Sequence, residues 1–133
     1  MALVRWVALS ALLCSSGCAS VSTADGERLR LASAGFREYV ERVFREQNRV
    51  ADELAFALEE PGAERGELGA AEQRLLDACA GVNELATAQR DERRLGVRRS
   101  AASARTVPAC ERAAREAARL MGHAADAPGA IDD

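Results

Sequence analysis

Lysine is absent from these 133 residues, and all 18 basic side chains are arginine. Histidine occurs once, as His123, and Phe, Tyr and Trp together make up 4% of the chain. A single histidine gives no basis for a Ser/His/Asp relay. The many carboxylates stand at surface spacing rather than as a recognisable acid–base pair. Glycine-rich phosphate loops and the C-x-x-C-H haem motif do not occur. No internal repeat or convincing strand pattern is present, and no apolar run reaches the roughly 20 residues that a spanning helix needs. These absences leave enzyme, cofactor and metal readings without residues to carry them. His123 reads as an exposed side chain near a helix end, where a cation suits the dipole. Abundant alanine with exclusive use of arginine points to GC-rich codons rather than to an activity.

What is present begins with the leader. Arg5 supplies a basic start, and Trp6 to Leu13, with Met1 to Val4 before it, supply a short apolar stretch. This is the size of a secretory h-region, and small residues follow where a peptidase could cut. Ser16, Gly17 and Cys18 resemble the lipobox of bacterial lipoproteins, with Ser15 where that family usually carries an aliphatic residue. Cys14 fits less well, since Leu13 before it is large for the cleavage position. The resemblance covers about the first twenty residues. It implies cleavage before Cys18 and acylation of that thiol. Two or three acyl chains, at about 0.8 kcal/mol per buried methylene, hold a protein on a membrane where one does not. Ala19 follows, not the aspartate associated with inner-membrane retention, so the implied location is the outer membrane, facing the periplasm. The competing reading is an ordinary secretory signal cut near Ala19 or Ser20.

Removing residues 1–17 takes away Arg5 alone among the charges, so the chain remains mildly acidic. That balance, with export, argues against a nucleic-acid partner. Of the four cysteines, Cys14 is lost with the leader and Cys18 is the lipidation site. Cys79 and Cys110 remain, and in an oxidising compartment a disulfide between them is the expectation. A closed loop of that length stabilises by about 3–4 kcal/mol in the chain-entropy view. Two thiols and a distant His123 do not make a metal motif.

Hydrophobic periodicity predicts an all-α fold, an antiparallel long helical hairpin with a third, shorter helix. Residues 18–25, small and polar, read as a tether and residues 26–125 as the bundle. Residues 126–133 read as a flexible tail. The first helix is expected to be capped by Thr23 or Asp25. Its stripe is Leu29, Ala32, Phe36, Val40, Val43, Gln47, Val50, Leu54 and Ala57, and it ends at Pro61 and Gly62. Glu38 with Arg42 and Glu41 with Arg45 are favourable i, i+4 pairs. Tyr39, Phe44 and Phe56 lie partly off the stripe and read as a widening of the buried face. The second helix is expected from about residues 64–67 to Leu95. Its apolar face is Leu68, Ala71, Leu75, Ala78, Cys79, Val82, Leu85, Ala86 and Gln89. The third is expected from about Val107 to Ala124, with Thr106 as cap and Pro108 in its first turn. Cys110, Ala113, Ala114, Ala117, Leu120 and Met121 face inward, and Glu111 with Arg115 faces outward. A second helix that ran to Leu95 and then simply turned back would hold Cys79 about 24 Å below its end. The pairing therefore constrains the path of residues 90–106.

The candidate surface is the basic segment of Arg90, Arg93, Arg94, Arg98, Arg99 and Arg105, with Arg94, Arg98 and Arg99 the expected partner contacts. Arginine's planar fork suits phosphate and carboxylate, so an acidic lipid, glycan or envelope-protein face is the expected class of partner. The bland alternative is a solvated face paired with the acidic first helix. No cofactor is expected. The functional expectation is a non-enzymatic, lipid-anchored envelope protein that binds or spaces another envelope component. The runner-up is a small-ligand or signal-sensing bundle.

Overall fold

A computed structural model describes residues 19–60 and 65–125, with side chains described as far as Gly122. Cys18, the leader and the tail lie outside the described residues, as does the His123 side chain. The fold is a small three-helix bundle. A short hairpin, β1 (Ser20–Ser22) and β2 (Arg28–Arg30), is followed by α1 (Ala34–Glu59), α2 (Arg65–Arg90) and α3 (Val97–Ala125).

The hairpin corrects two expectations, the absence of strands and the polar tether. Ser20 pairs with Arg30, Val21 with Leu29 and Ser22 with Arg28 in antiparallel register. The Thr23 hydroxyl accepts from the N–H of Glu27 at 3.1 Å, and Gly26 takes φ +89° in the turn. Only a residue without a Cβ adopts that angle freely. Val21 is buried in the common core, so residues 19–25 are docked chain. Thr23 and Asp25 therefore do not cap α1. Ser33 does, its hydroxyl accepting from the N–H of Phe36 at 3.1 Å. Three-residue strands with one inward side chain are too short to leave a periodic signal.

Along α1 the buried positions are Phe36, Tyr39, Val43, Gln47, Val50 and Leu54. Leu29 belongs to β2 and Ala32 to an exposed turn. Gln47, the one polar residue of the stripe, donates to Asn83 Oδ1 on α2 at 2.6 Å, which removes the cost of burying an unpaired amide. Phe56 is 68% exposed and does not widen the core, whereas Tyr39 does.

Helix α2 stops at Arg90, five residues before the expected end. The N–H of Arg93 reaches back to the carbonyl of Ala88 at 2.8 Å, and that of Glu92 to Gln89 at 3.2 Å. With Glu92 at φ +51°, this is a Schellman ending with glutamate where glycine is usual. Helix α3 then begins at Val97, ten residues before the expected start, and at 29 residues it is the longest helix. Pro108 stands in its interior, where it removes an N–H from the ladder. Ser103, Ala104 and Val107 are buried, and Ser103 donates to Glu84 of α2 at 2.6 Å. Packing before Pro108 thus outweighs the local penalty.

These boundaries settle the disulfide. Cys79 lies about 17 Å before the end of α2, and Cys110 about 20 Å into α3. Two antiparallel helices joined by a short turn therefore bring them level. The two are bonded, with Cα atoms 4.5 Å apart, and both are fully buried.

Candidate functional site

The most concentrated chemistry in the core surrounds Glu111, which the sequence places on an outer face. Its side chain is 3% exposed. Oε2 accepts from the Tyr39 hydroxyl at 2.7 Å and from the N–H of Ala24 at 3.2 Å. Oε1 accepts from Arg42 at 3.0 Å and from Arg115 at 2.7 Å. Arg115 also holds both carboxylate oxygens of Asp25, at 2.7 and 2.8 Å. One carboxylate thereby ties the hairpin turn, α1 and α3 together. The available sequence signal is its position at helical spacing among Ala104, Val107 and Ala114, all of them buried.

Burial works against the Glu111 charge, but the hydrogen bonds from Tyr39, Arg42 and Ala24, with the nearby Arg115, outweigh it and leave its carboxyl below the usual range. Burial, reinforced by the hydrogen bond to Glu111, pushes the Tyr39 hydroxyl upward. The Arg115 hydrogen bond lowers Asp25. A carboxylate held ionised with its oxygens occupied by donors is matched to holding elements together, and poorly matched to taking up a proton near neutrality. Glu38 does not pair with Arg42 as the i, i+4 spacing suggests, because Arg42 turns to Glu111. Glu41 with Arg45 does pair, at 2.7 Å.

The basic segment is divided by the fold. Arg90 closes α2, Arg93 and Arg94 stand in the connection, and Arg98 and Arg99 open α3, with Arg105 two turns further on. Arg99 is ion-paired to Glu84 of α2. The Ser103 hydrogen bond first, and Arg99 with it, keep the Glu84 carboxyl low against the effect of burial. Arg94 and Arg98 are exposed and form no ion pair among the described residues. Of the three expected partner contacts, Arg99 therefore has an intramolecular role and Arg94 and Arg98 remain available.

Two grooves border this region. One, of about 230 Å³, lies among Leu31, Phe36, Val40, Leu85, Gln89 and Ala104. A second, of about 620 Å³, runs between α1 and α2 beside Val40, Phe44 and Ala86, with Glu38, Arg45 and Arg90 on its rim. Both are open to solvent. Among the described residues no group of three or more His, Cys, Asp or Glu side chains is placed to hold a metal ion. No described helix is long and apolar enough to cross a membrane. The chain matches no family model, and comparison with curated proteins and with solved structures finds no significant match.

Proposed function

We propose that this chain is a lipid-anchored protein of the cell envelope that acts without catalysis, binding or spacing another envelope component. The observation that carries the reading is Cys18 behind Ser16 and Gly17, at the end of a basic and then apolar leader. Two features support it. The disulfide and the Glu111 network give the bundle cross-links between elements far apart in sequence, as a spacer or docking body requires. Its buried carboxylate is committed to structural partners. The location in this reading is the outer membrane, facing the periplasm. The small-ligand alternative would draw on the groove beside Val40 and Leu85. That groove is open, and its 230 Å³ lies below the roughly 300–1,000 Å³ of ordinary ligand sites. The 620 Å³ groove beside Phe44 and Ala86 has the volume, but it too is open and its lining includes Arg37, Glu38, Glu41, Arg45 and Arg90, where a ligand site is mostly apolar.

The test is palmitate labelling in cells, followed by crosslinking from the bundle surface and mass spectrometry. Labelling lost in Cys18→Ala, with an envelope protein or glycan captured by the anchored chain, is the expected result. Label retained in Cys18→Ala overturns the anchor. An acylated chain that captures nothing overturns the binding role.

A further inference from the structure

The chain enters its fold immediately behind Cys18. The N–H of Leu31 donates to the carbonyl of Ala19 at 3.0 Å, and the ladder opens at Ser20. Consecutive Cα atoms are about 3.8 Å apart, so an acyl group on Cys18 would be joined to a docked strand with no spacer between.

The hairpin's direction fixes which end of the bundle that is. Its turn reaches far along α3, where Ala24 meets Glu111 and Asp25 meets Arg115. Its open end lies at the start of α3, because Leu31 shares a groove with Gln89, Ser100 and Ala104. Ser100 and Glu111 are separated along the helix by about 17 Å. Ala19 therefore sits beside the α2–α3 connection, at the end that carries Arg93, Arg94 and Arg98.

The same connection exposes an aliphatic side chain. Val97 is 87% exposed, with Arg93 and Arg94 before it and Arg98 and Arg99 after it. Exposed Arg30, opposite Ser20 on β2, adds a further cation beside the entry point. The acidic groups here are Asp91, ion-paired to Arg90, and Glu92. An exposed aliphatic group flanked along the chain by arginines is matched to a lipid headgroup layer: the cations lie at phosphate depth and the apolar group below them.

We propose that residues 91–99 are the membrane-facing tip of the bundle, with Arg93, Arg94 and Arg98 on lipid phosphates and Val97 seated beneath them. This rests on the lipid-anchor reading, since the anchor delivers this end to the leaflet. A lipid surface is the occupant, in preference to a protein or glycan, because that surface lies one residue from Ala19. The far end, where α1 closes and α2 begins, then projects about 39 Å outward, the length of a 26-residue helix.

The test uses the mature chain purified from cells and reconstituted in vesicles of phosphatidylethanolamine with phosphatidylglycerol. Hydrogen exchange of residues 91–99 and the mass of the N-terminal peptide are read from the same sample. Expected is slower exchange across this segment than in detergent, with protection lost in Arg94→Gln/Arg98→Gln and restored in Arg94→Lys/Arg98→Lys. Unchanged exchange with an acylated N-terminal peptide overturns the tip and leaves the anchor standing. An unacylated N-terminal peptide overturns the anchor, and vesicle flotation of that chain then decides the tip alone. Each arginine near an anionic surface is worth about fivefold in partitioning, equivalent to about 1 kcal/mol. The double glutamine variant should therefore bind roughly 25-fold more weakly, and no flotation by the unaltered chain overturns the tip. Both arginines are exposed and form no ion pair among the described residues, so an unchanged melting temperature identifies a variant that has kept its fold.

Discussion

The Tyr39 hydroxyl donates to Glu111 Oε2 at 2.7 Å, joining α1 to α3 across 72 residues of chain. Arg42 lies over the Tyr39 ring, 5.2 Å from its centroid, and pairs with the same carboxylate. Removing Glu111 leaves the tyrosine hydroxyl and the Ala24 N–H without their acceptor. Glu111→Ala should cost about 3 kcal/mol, at the low end for a broken buried pair because Arg42 and Arg115 reach water. Tyr39→Phe should cost about 1.5 kcal/mol, the loss of one hydrogen bond to a charged acceptor. Urea unfolding midpoints check both values.

The same carboxylate sets an acid limit. Its folded pKa lies below the ordinary value of 4.5, so its contribution is complete above that pH. The contribution falls away as pH drops through the folded value, because the unfolded chain binds the proton first. Asp25 and Glu84 are lowered as well and act in the same direction. Stability should be flat in the neutral range and decline below about pH 4.5. Glu111→Gln should be less stable at pH 7 and show a shallower decline. Thermal melts between pH 3 and pH 7 would show an unaltered slope if Glu111 were not a source of it.

Cutting the Cys79–Cys110 bond should cost about 3–4 kcal/mol by the loop-entropy argument. In a small domain that is a large part of the usual margin of about 5–15 kcal/mol. Cys79→Ala/Cys110→Ala should therefore melt far below the oxidised chain. A reducing agent should shift the oxidised chain toward the variant and leave the variant itself unmoved.

That bond shows what the sequence could and could not convey. The export that the leader implies and two cysteines on apolar stripes point to the pair, but the heights at which they meet depend on helix ends that local signals misplace. Gly96 is the visible stop after α2, yet the left-handed residue is Glu92, a type with no special liking for that conformation. Pro108 is the visible start of α3, yet burial of Ser103, Ala104 and Val107 carries the helix past it. Long stripes such as Val43, Val50 and Leu54 are legible because burial repeats at the helical period. Glu111 is not, because a charged residue joins a core only when distant partners arrive, here Ala24, Tyr39 and Arg42. Arg94 and Arg98 were legible as a basic segment. Their place at the end of the bundle where the hairpin opens was not, since it follows from the hairpin's register.

Glu92 also offers a stabilising change. A non-glycine residue in the left-handed region costs about 1–2 kcal/mol, and glycine removes that cost but enlarges the freedom of the unfolded chain by about 0.5–1 kcal/mol. Glu92→Gly should raise stability by about 0.5 kcal/mol, visible as a higher melting temperature. A lower one would mean that the Glu92 side chain contributes something besides its backbone angle.

Gly81 carries the opposite prediction from the usual helix rule. In an exposed helix interior, alanine in place of glycine is worth about 1 kcal/mol in favour of the folded state. Here a Cβ on residue 81 would run into the Thr106 hydroxyl and come within 3.1 Å of both the Cα and the carbonyl oxygen of Ser103. The hydroxyl belongs to a side chain, but the Ser103 atoms are backbone of α3, so α2 and α3 would have to give by a few tenths of an ångström. This is the stretch where Ser103 and Arg99 reach Glu84, and a shift there would loosen both contacts. Overpacking of this kind typically costs about 1–3 kcal/mol. Gly81→Ala should therefore destabilise by about 1 kcal/mol or more in spite of its propensity gain. Combining it with Thr106→Ala should recover only part of the loss, because the tight approach to the Ser103 backbone remains. Full recovery would assign the constraint to the Thr106 side chain, and a more stable Gly81→Ala would show that the two helices can separate there without cost.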